Sequence, residues 1–278
     1  KKMQNIKNNN ISPNFLDWLA GFIDAEGCFY INRKTMSNGN IRYAFGLKIK
    51  LHKDQMNLLK YIHDTLGIGW IGKPQNNTCC FHVDSERELR HLICLLDKTT
   101  LMGIKYLDYI SFKKAFFLYF NRAGLVTETL QVEIEKIRAN HNTKRTLFEM
   151  PEGFKRIITE YKLLGLIEGD GCFFLQKKGL TPRFELELTS SQKPLLIAIK
   201  AYLESKFGLP SIQIKKGGIG VRDMKAKSNS KPRARLEITG VDFLHNYFNV
   251  FLKNLEFFSS ALRWKRFWRI YFYLWNTI

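Results

Sequence analysis

The sequence predicts an α+β fold made of two pseudo-symmetric units, the first reading helix, hairpin, helix, hairpin, helix, helix and the second replaying that order. Three observations carry that expectation. The nonapeptide Leu19-Ala20-Gly21-Phe22-Ile23-Asp24-Ala25-Glu26-Gly27 returns as Leu163-Leu164-Gly165-Leu166-Ile167-Glu168-Gly169-Asp170-Gly171. Each copy is followed by a matching apolar run, Cys28-Phe29-Tyr30-Ile31 and Cys172-Phe173-Phe174-Leu175. Beyond those runs, both halves alternate apolar and polar residues with the period of a half-buried strand: Phe45, Leu47, Ile49, Leu51 in one and Phe184, Leu186, Leu188 in the other.

The elements follow in order. Residues 1–11 are Lys- and Asn-rich and carry no periodic pattern, so they are expected to be disordered or to lie along a polyanion. Ser12-Pro13 is a helix start, with Ser as cap and Pro at the first helical position. That helix runs through the first nonapeptide and ends at Gly27, read as a C-terminal glycine stop. Strands are expected over 28–34 and 42–51 around the Ser37-Asn38-Gly39-Asn40 turn, then a helix over 54–66 carrying Met56, Leu59, Ile62 and Leu66. Short strands near 69–73 and 79–84 precede helices over 86–97 and 106–120. The first unit thus spans 1–120, a connector with one polar helix (about 128–140) spans 121–158, and the second unit spans 159–278. In that second unit Leu195 and Leu196 match Leu58 and Leu59, and Arg235-Leu236-Glu237-Ile238 matches Cys80-Phe81-His82-Val83. Its first hairpin is shorter, and extra residues fall in the basic stretch Lys215–Arg235.

Composition narrows the function classes. The 278 residues carry 44 Lys+Arg against 25 Asp+Glu, a formal charge of +19, with an apolar fraction of 45%. The chain can build cores, and its surplus of cations points to a polyanionic partner, nucleic acid above all. The five cysteines lack zinc-site spacing and read as buried thiols of a reducing compartment. No apolar run is long enough for a membrane span, because Arg263, Lys265, Arg266 and Arg269 interrupt the C-terminal candidate, and no signal peptide is evident.

The repeat suggests a site. Gly21 and Ala25, like Gly165 and Gly169, share one helical face, which lets helix backbones approach closely. Pairing the two faces about a pseudo-two-fold axis would bring Glu26 and Asp170 together. Carboxylates at helix C-termini face the negative end of the macrodipole, so a cation must offset them. Two acids in a basic protein suit Mg²⁺, which is held by one or two carboxylates plus phosphate oxygens and water. The plainer alternative is a pair of helix caps or salt bridges. Asp24 and Glu168, two residues back, are read as structural, bonding to backbone.

The strands supply the expected nucleic-acid surface. Arg33, Lys34, Arg42, Lys48, Lys50 and Lys73 in the first unit, and Gln176, Lys177, Lys178, Arg183, Glu185 and Glu187 in the second, are candidates to enter a major groove. Lys215, Lys216, Arg222, Lys225, Lys227, Arg233 and Arg235 are candidate phosphate contacts of the long second-unit segment.

These nonapeptides resemble the LAGLIDADG motif, and nearly the whole chain resembles the monomeric two-repeat LAGLIDADG homing endonucleases. Departures are Phe22, Glu26, Leu164, Glu168 and Gly169. The resemblance implies two αββαββα-type units with antiparallel sheets, motif helices packed at the interface between units and sheets forming a DNA-binding saddle. It further implies Mg²⁺-dependent hydrolysis of both strands of a double-stranded target across the minor groove, leaving 3′ overhangs. Mn²⁺ is expected to substitute, and Ca²⁺ to support binding without cleavage. Catalysis and metal ligation would fall to Glu26 and Asp170, with Ala25, Gly27, Gly169 and Gly171 around the metal. Lys105, in Leu101-Met102-Gly103-Ile104-Lys105, matches the family's basic catalytic residue. The second unit offers Ser259 or Ser260 at that place, with Lys253 or Lys265 nearby. Where the family often has a polar strand residue this chain has Leu51 and Leu188, with His52 or Gln192 as candidate substitutes. Members are often encoded within introns of fungal mitochondria, which suits the Asn-, Lys- and Ile-rich composition. The expected protein is a mitochondrial monomer that binds target DNA and no membrane, with host intron RNA as a further partner. A splicing maturase and a catalytically silent DNA-binding protein of the same fold are the competing readings.

Overall fold

The computed structural model describes residues 11–176, 181–209, 217–225 and 231–254. It divides into two compact units, one ending at Lys155 and the next beginning at Arg156. Among the described residues no helix is long and apolar enough to cross a membrane.

The first unit opens with α1 (Pro13–Glu26), capped by the Ser12 hydroxyl, which accepts from Phe15 N–H at 3.2 Å. An unbroken run from Leu19 to Asp24 is buried, so this helix is covered on more than one face. The chain passes directly into β1 (Gly27–Thr35) and β2 (Ile41–His52), then α2 (Met56–Leu66), β3 (Trp70–Ile71), β4 (Thr78–Val83), α3 (Glu86–Leu96), α4 (Lys105–Phe120) and α5 (Glu128–Ala139). The antiparallel sheet has the order β1-β2-β4-β3. Its inward residues Phe29, Phe45, Leu47, Ile49 and Phe81 are buried, and Phe112 and Phe116 of α4 lie against the Phe45 ring at centroid distances of 5.9 and 5.8 Å.

The second unit repeats the order: α6 (Glu160–Asp170), β5 (Gly171–Gln176), β6 (Thr181–Thr189), α7 (Lys193–Lys206), β7 (Gly218–Met224) and β8 (Arg233–Thr239). A helical stretch follows, made of α8 (Val241–Phe243), a π turn and α9 (Asn249–Asn254). The sheet order is β5-β6-β8-β7. The duplication extends to register. Gly27 lies opposite Ile49, which lies opposite Phe81; Gly171 lies opposite Leu186, which lies opposite Leu236.

One segment has a role the sequence did not show, and one expectation is corrected. Residues 121–155 of the expected connector seal the edge of the first sheet. β1 is an edge strand, and its outward carbonyls would otherwise be open for pairing. Arg138 donates to the Ile31 carbonyl at 2.9 Å, while His141 and Asn142 donate to that of Phe29 at 2.8 and 2.5 Å. Tyr43 donates to Glu135 at 2.8 Å, and Arg145 pairs with Asp108 at 2.8 Å. The cysteines are free, but only Cys79 is buried, whereas Cys28, Cys94 and Cys172 are exposed. Cys28 and Cys172 directly follow the motif glycines, and strand alternation turns them away from Phe29 and Phe173.

His141 makes the edge seal pH-sensitive. Burial holds its pKa below the ordinary imidazole value, with the Phe29 carbonyl and Asp108 pulling it up and Arg145 and Arg138 pushing it down. The unfolded chain therefore takes up a proton near pH 6.5 that the folded unit resists, so stability is intact above that pH and lost as pH falls below it. Urea unfolding of the first unit is expected to shift to lower denaturant between about pH 7 and about pH 5.5. His141→Gln should flatten that portion of the curve, and an unchanged slope would remove His141 as its cause.

Candidate active site

Glu26 is the last residue of α1, and Asp170 is the last residue of α6. Each sits one residue before a glycine with extended backbone, φ −76° at Gly27 and −72° at Gly171. The helix stops at Gly27 as expected, with extended backbone, and the space beside that residue is what requires glycine. A Cβ on Gly27 would stand 2.7 Å from Ile23 Cγ2 and 2.9 Å from the Ile23 carbonyl oxygen. On Gly171 it would stand 2.5 Å from the Ile167 carbonyl oxygen and 3.0 Å from Phe184. The glycine lets the helix turn into the strand with no spacer, which places the acid beside the first strand residue. Gly27→Ala and Gly171→Ala are each expected to cost roughly 1–3 kcal/mol through overpacking, Gly171→Ala the more, measured by denaturant titration.

Glu26 is half-buried and Asp170 exposed. Of the residues expected around a metal, Ala25 is half-buried, Gly169 buried, and the Gly27 carbonyl already accepts from Lys105 Nζ at 2.5 Å. That contact brings the third candidate catalytic residue to the end of α1. What holds Lys105 there was only partly legible in sequence. Asp24, 6% exposed, accepts from Met102 N–H at 2.6 Å and from Gly103 N–H at 3.2 Å. Asp17, seven residues earlier on the same helical face, accepts from the Thr99 hydroxyl at 2.6 Å. One face of α1 thus clamps the buried loop 99–103 from which Lys105 opens α4. The structural role expected for Asp24 is this clamp.

The outward faces of the two sheets differ. In the first, Lys34, Arg42, Lys48 and Lys50 alternate with the core residues; Lys48 lies between Cys28 and His82, and Lys50 opposite Cys80. Lys73 is exposed just beyond β3. Arg33 departs from the expected groove-facing group: it shares the inward register of Tyr43 and comes within 3.9 Å of Glu135 on α5. One feature missed in the sequence shares the outward face. The Trp70 ring, 47% exposed, stacks on His82 at 4.5 Å and 15°, with its indole N–H 3.3 Å from Asp84. Cross-strand pairing creates this stack, so sequence spacing carried no signal for it.

In the second sheet Arg183, Glu185, Glu187, Arg222, Arg233 and Arg235 do share the outward face, but as an ion-pair lattice rather than as open cations. Gln176 ends β5, with Thr181 Oγ1 at 3.4 Å, and Lys225 is exposed beyond β7. Lys177, Lys178, Lys215, Lys216 and Lys227 lie outside the described residues, as do Ser259, Ser260 and Lys265 and the side chain of Lys253. Leu51 and Leu188 are inward core residues, 5% and 6% exposed. Of their candidate substitutes, exposed His52 accepts from Asp54 N–H at 3.4 Å, and Gln192 closes the turn before α7.

A helix ending in an acid–glycine turn and feeding a four-stranded antiparallel sheet, made twice, defines a tandem-repeat α+β protein with one acid-bearing turn per repeat. Two family models match it, "LAGLIDADG endonuclease" over residues 19–116 and "LAGLIDADG-like domain" over 160–250. The chain belongs to the LAGLIDADG endonuclease family. It is 31% identical over 258 residues to a probable intron-encoded endonuclease, Cox1-I1b, of Schizosaccharomyces pombe, covering 90% of this chain and 64% of that protein. An uncharacterized mitochondrial protein of Saccharomyces cerevisiae is 25% identical, with coverage of 98% and 56%. The chain therefore spans less than two thirds of the length of these relatives. Among solved structures, I-SmaMI bound to an uncleaved DNA target in the presence of calcium ions shares the fold at a TM-score of 0.74 and 19% identity, covering 94% of this chain and 92% of that one.

Proposed function

We propose that this chain is a site-specific homing endonuclease that hydrolyses both strands of a double-stranded DNA target across the minor groove, leaving 3′ overhangs. The observation that carries the reading is the recurrence of an acid at equivalent helix ends, Glu26 and Asp170, in two register-matched units of a +19 chain. The family assignment, the S. pombe relative's printed name and the DNA-bound I-SmaMI structure support it. The mitochondrial S. cerevisiae relative supports an organellar origin.

The residues fit a divalent cation of the hard, oxygen-seeking kind. Among the described residues no cluster of three or more His, Cys, Asp or Glu forms a closed metal site. One carboxylate per turn suits Mg²⁺ or Mn²⁺, which keep several waters and take phosphate oxygens, better than a metal that needs an all-protein cage. Glu26 and Asp170 would each supply a carboxylate to such an ion, with Ca²⁺ supporting binding without cleavage as the calcium-containing I-SmaMI complex suggests. When bound, the ion supplies Lewis-acid activation of water and charge stabilisation at the phosphorus. This chain's own contributions are positional. The Asp24 clamp sets Lys105 beside Gly27, where its ammonium group offsets negative charge on a phosphate next to Glu26. The outward cations of the first sheet bind the duplex backbone and the guanine edges.

Selecting cleaved molecules from a randomised duplex library with Mg²⁺, and sequencing their ends, tests the reading. One motif with fixed cut positions is expected, and uncut DNA would refute it. Affinity in Ca²⁺ should fall roughly 10³-fold or more between 50 and 200 mM salt if six or more phosphates are contacted, and a flat response would count against a sheet-wide interface. One observation favours host intron RNA as a second partner. The exposed Trp70–His82 stack offers a surface on which an unstacked base can lie. Retention of a labelled host-intron transcript by wild type and not by Trp70→Ala would establish it.

A further inference from the structure

β2 is longer than the strand that covers it. β1 pairs with it over 41–49 on one side, whereas β4 pairs with it only over 47–52 on the other. Among the described residues no strand lies against that second side of 41–45. The bond from Lys53 N–H to the Asn77 carbonyl, at 2.8 Å, fixes which residues of β2 face β4. They are the odd-numbered ones, because successive strand residues send their N–H and C=O groups to opposite edges. Ile41, Tyr43 and Phe45 therefore direct donors and acceptors to an edge that β4 has left, where the chain turns at Asp84 and Ser85 into α3.

A cleft of about 530 Å³ adjoins this edge, lined by Arg42, Tyr43, Glu86, Tyr119, Phe120 and Arg122. The start of α3 and the end of α4 form its walls, so it belongs to the helix-bearing side of the sheet rather than to the outward cationic face. Glu86 is neutralised by Arg90 at 2.8 Å, and the Tyr43 hydroxyl is taken up by Glu135. Among the described residues Arg42 and Arg122 have no carboxylate partner. The Arg122 guanidinium stands 4.1 Å from the Tyr119 ring centroid, and its Nη1 donates to the Tyr119 carbonyl. Its Nε–H is buried and has no acceptor. A buried donor left open is a standing cost, and a carboxylate on that edge of the guanidinium removes it with paired, charge-assisted hydrogen bonds.

We propose that this edge and cleft dock an extended acidic peptide of a partner protein, which lies as a strand beside β2 and seats a carboxylate on Arg122. Donors and acceptors in alternation complement another peptide main chain, whereas a DNA backbone offers acceptors alone. A second copy of this chain is the wrong occupant, because two chains of +19 repel. Leu125, 85% exposed in the loop after Arg122, offers the peptide an apolar contact. The site goes beyond the nuclease reading and is separate from the first acid-bearing turn, since it occupies the far end of β2 from Ile49, the residue opposite Gly27.

The test selects displayed random octapeptides on the full chain and synthesises the consensus with a fluorescent label. Acidic, β-branched sequences are expected, but any strongly cationic surface enriches acids, so the decisive arm is main-chain register. Methylating every second peptide nitrogen should weaken binding roughly tenfold or more in one phase and leave it within about twofold in the other. Arg122→Gln should cost on the order of tenfold, with Arg122→Lys between it and wild type. Neither variant should change duplex affinity in Ca²⁺, and excess duplex should leave the peptide bound. The site is overturned by a library with no consensus, by equal loss in both methylation phases, or by unchanged binding to Arg122→Gln. Displacement of the peptide by duplex overturns it as well, and makes the cleft part of a nucleic-acid surface.

Discussion

Glu26→Gln and Asp170→Asn are each expected to slow DNA cleavage by on the order of 10²–10⁴-fold while leaving duplex affinity in Ca²⁺ within about threefold. Both substitutions keep side-chain volume and remove one negative charge. That charge sits at a helix C-terminus, where the macrodipole disfavours it, so its loss does not cost fold stability through the helix. What would be lost, under the proposed function, is an anionic oxygen able to hold a hard cation against a phosphate. A neutral amide also removes a charge that repels DNA, so binding should hold or tighten. End-labelled duplex carrying the selected target, followed in single-turnover conditions with each strand labelled in turn, reads the effect per strand. Wild-type rates in either variant would remove that acid from the mechanism.

The second large effect concerns Asp24. Its carboxylate satisfies the buried N–H groups of Met102 and Gly103, and Asp24→Ala leaves both without that acceptor. At roughly 1–3 kcal/mol per stranded buried group, the variant should lose about 2–5 kcal/mol of unfolding free energy, enough to threaten the first unit. Asp24→Asn keeps one acceptor oxygen and should fall between the two. Because the clamp also fixes where α4 begins, cleavage by Asp24→Asn should drop along with stability. In a Lys105→Ala background the same substitution should slow cleavage little further, since its catalytic effect acts through Lys105. Denaturant midpoints and cleavage rates of the four proteins complete the cycle. Additive rate losses would leave Asp24 a purely structural residue.

Legibility followed the range of the interactions. The duplication, the helix start at Ser12, the strand alternation and the pairing of Phe81 with Leu236 as equivalents were open to sequence reading, because they depend on local periodicity and on two copies that check each other. The part that residues 121–155 play in capping carbonyls of β1 was not legible, because a backbone acceptor more than a hundred residues away has no sequence signature. Arg33 was grouped with Lys34 and Lys48 by charge, yet strand parity turned it toward Glu135. The helix stop at Gly27 was legible, but what the motif glycines are needed for was not. Their dihedrals are ordinary, and the space beside Ile23 and Ile167 is what excludes a side chain.

By itself the sequence determined that there are two equivalent units, that each ends its first helix in an acid, and that the whole is strongly cationic. Those properties are written in residue identity and spacing, and survive any packing that honours them. Only the tertiary structure decided which cations stay open and which are spent on carboxylates, and what anchors Lys105 at Gly27. Charge is a property of a residue, but its availability is set by the neighbours that strand register and loop packing bring within about 3 Å.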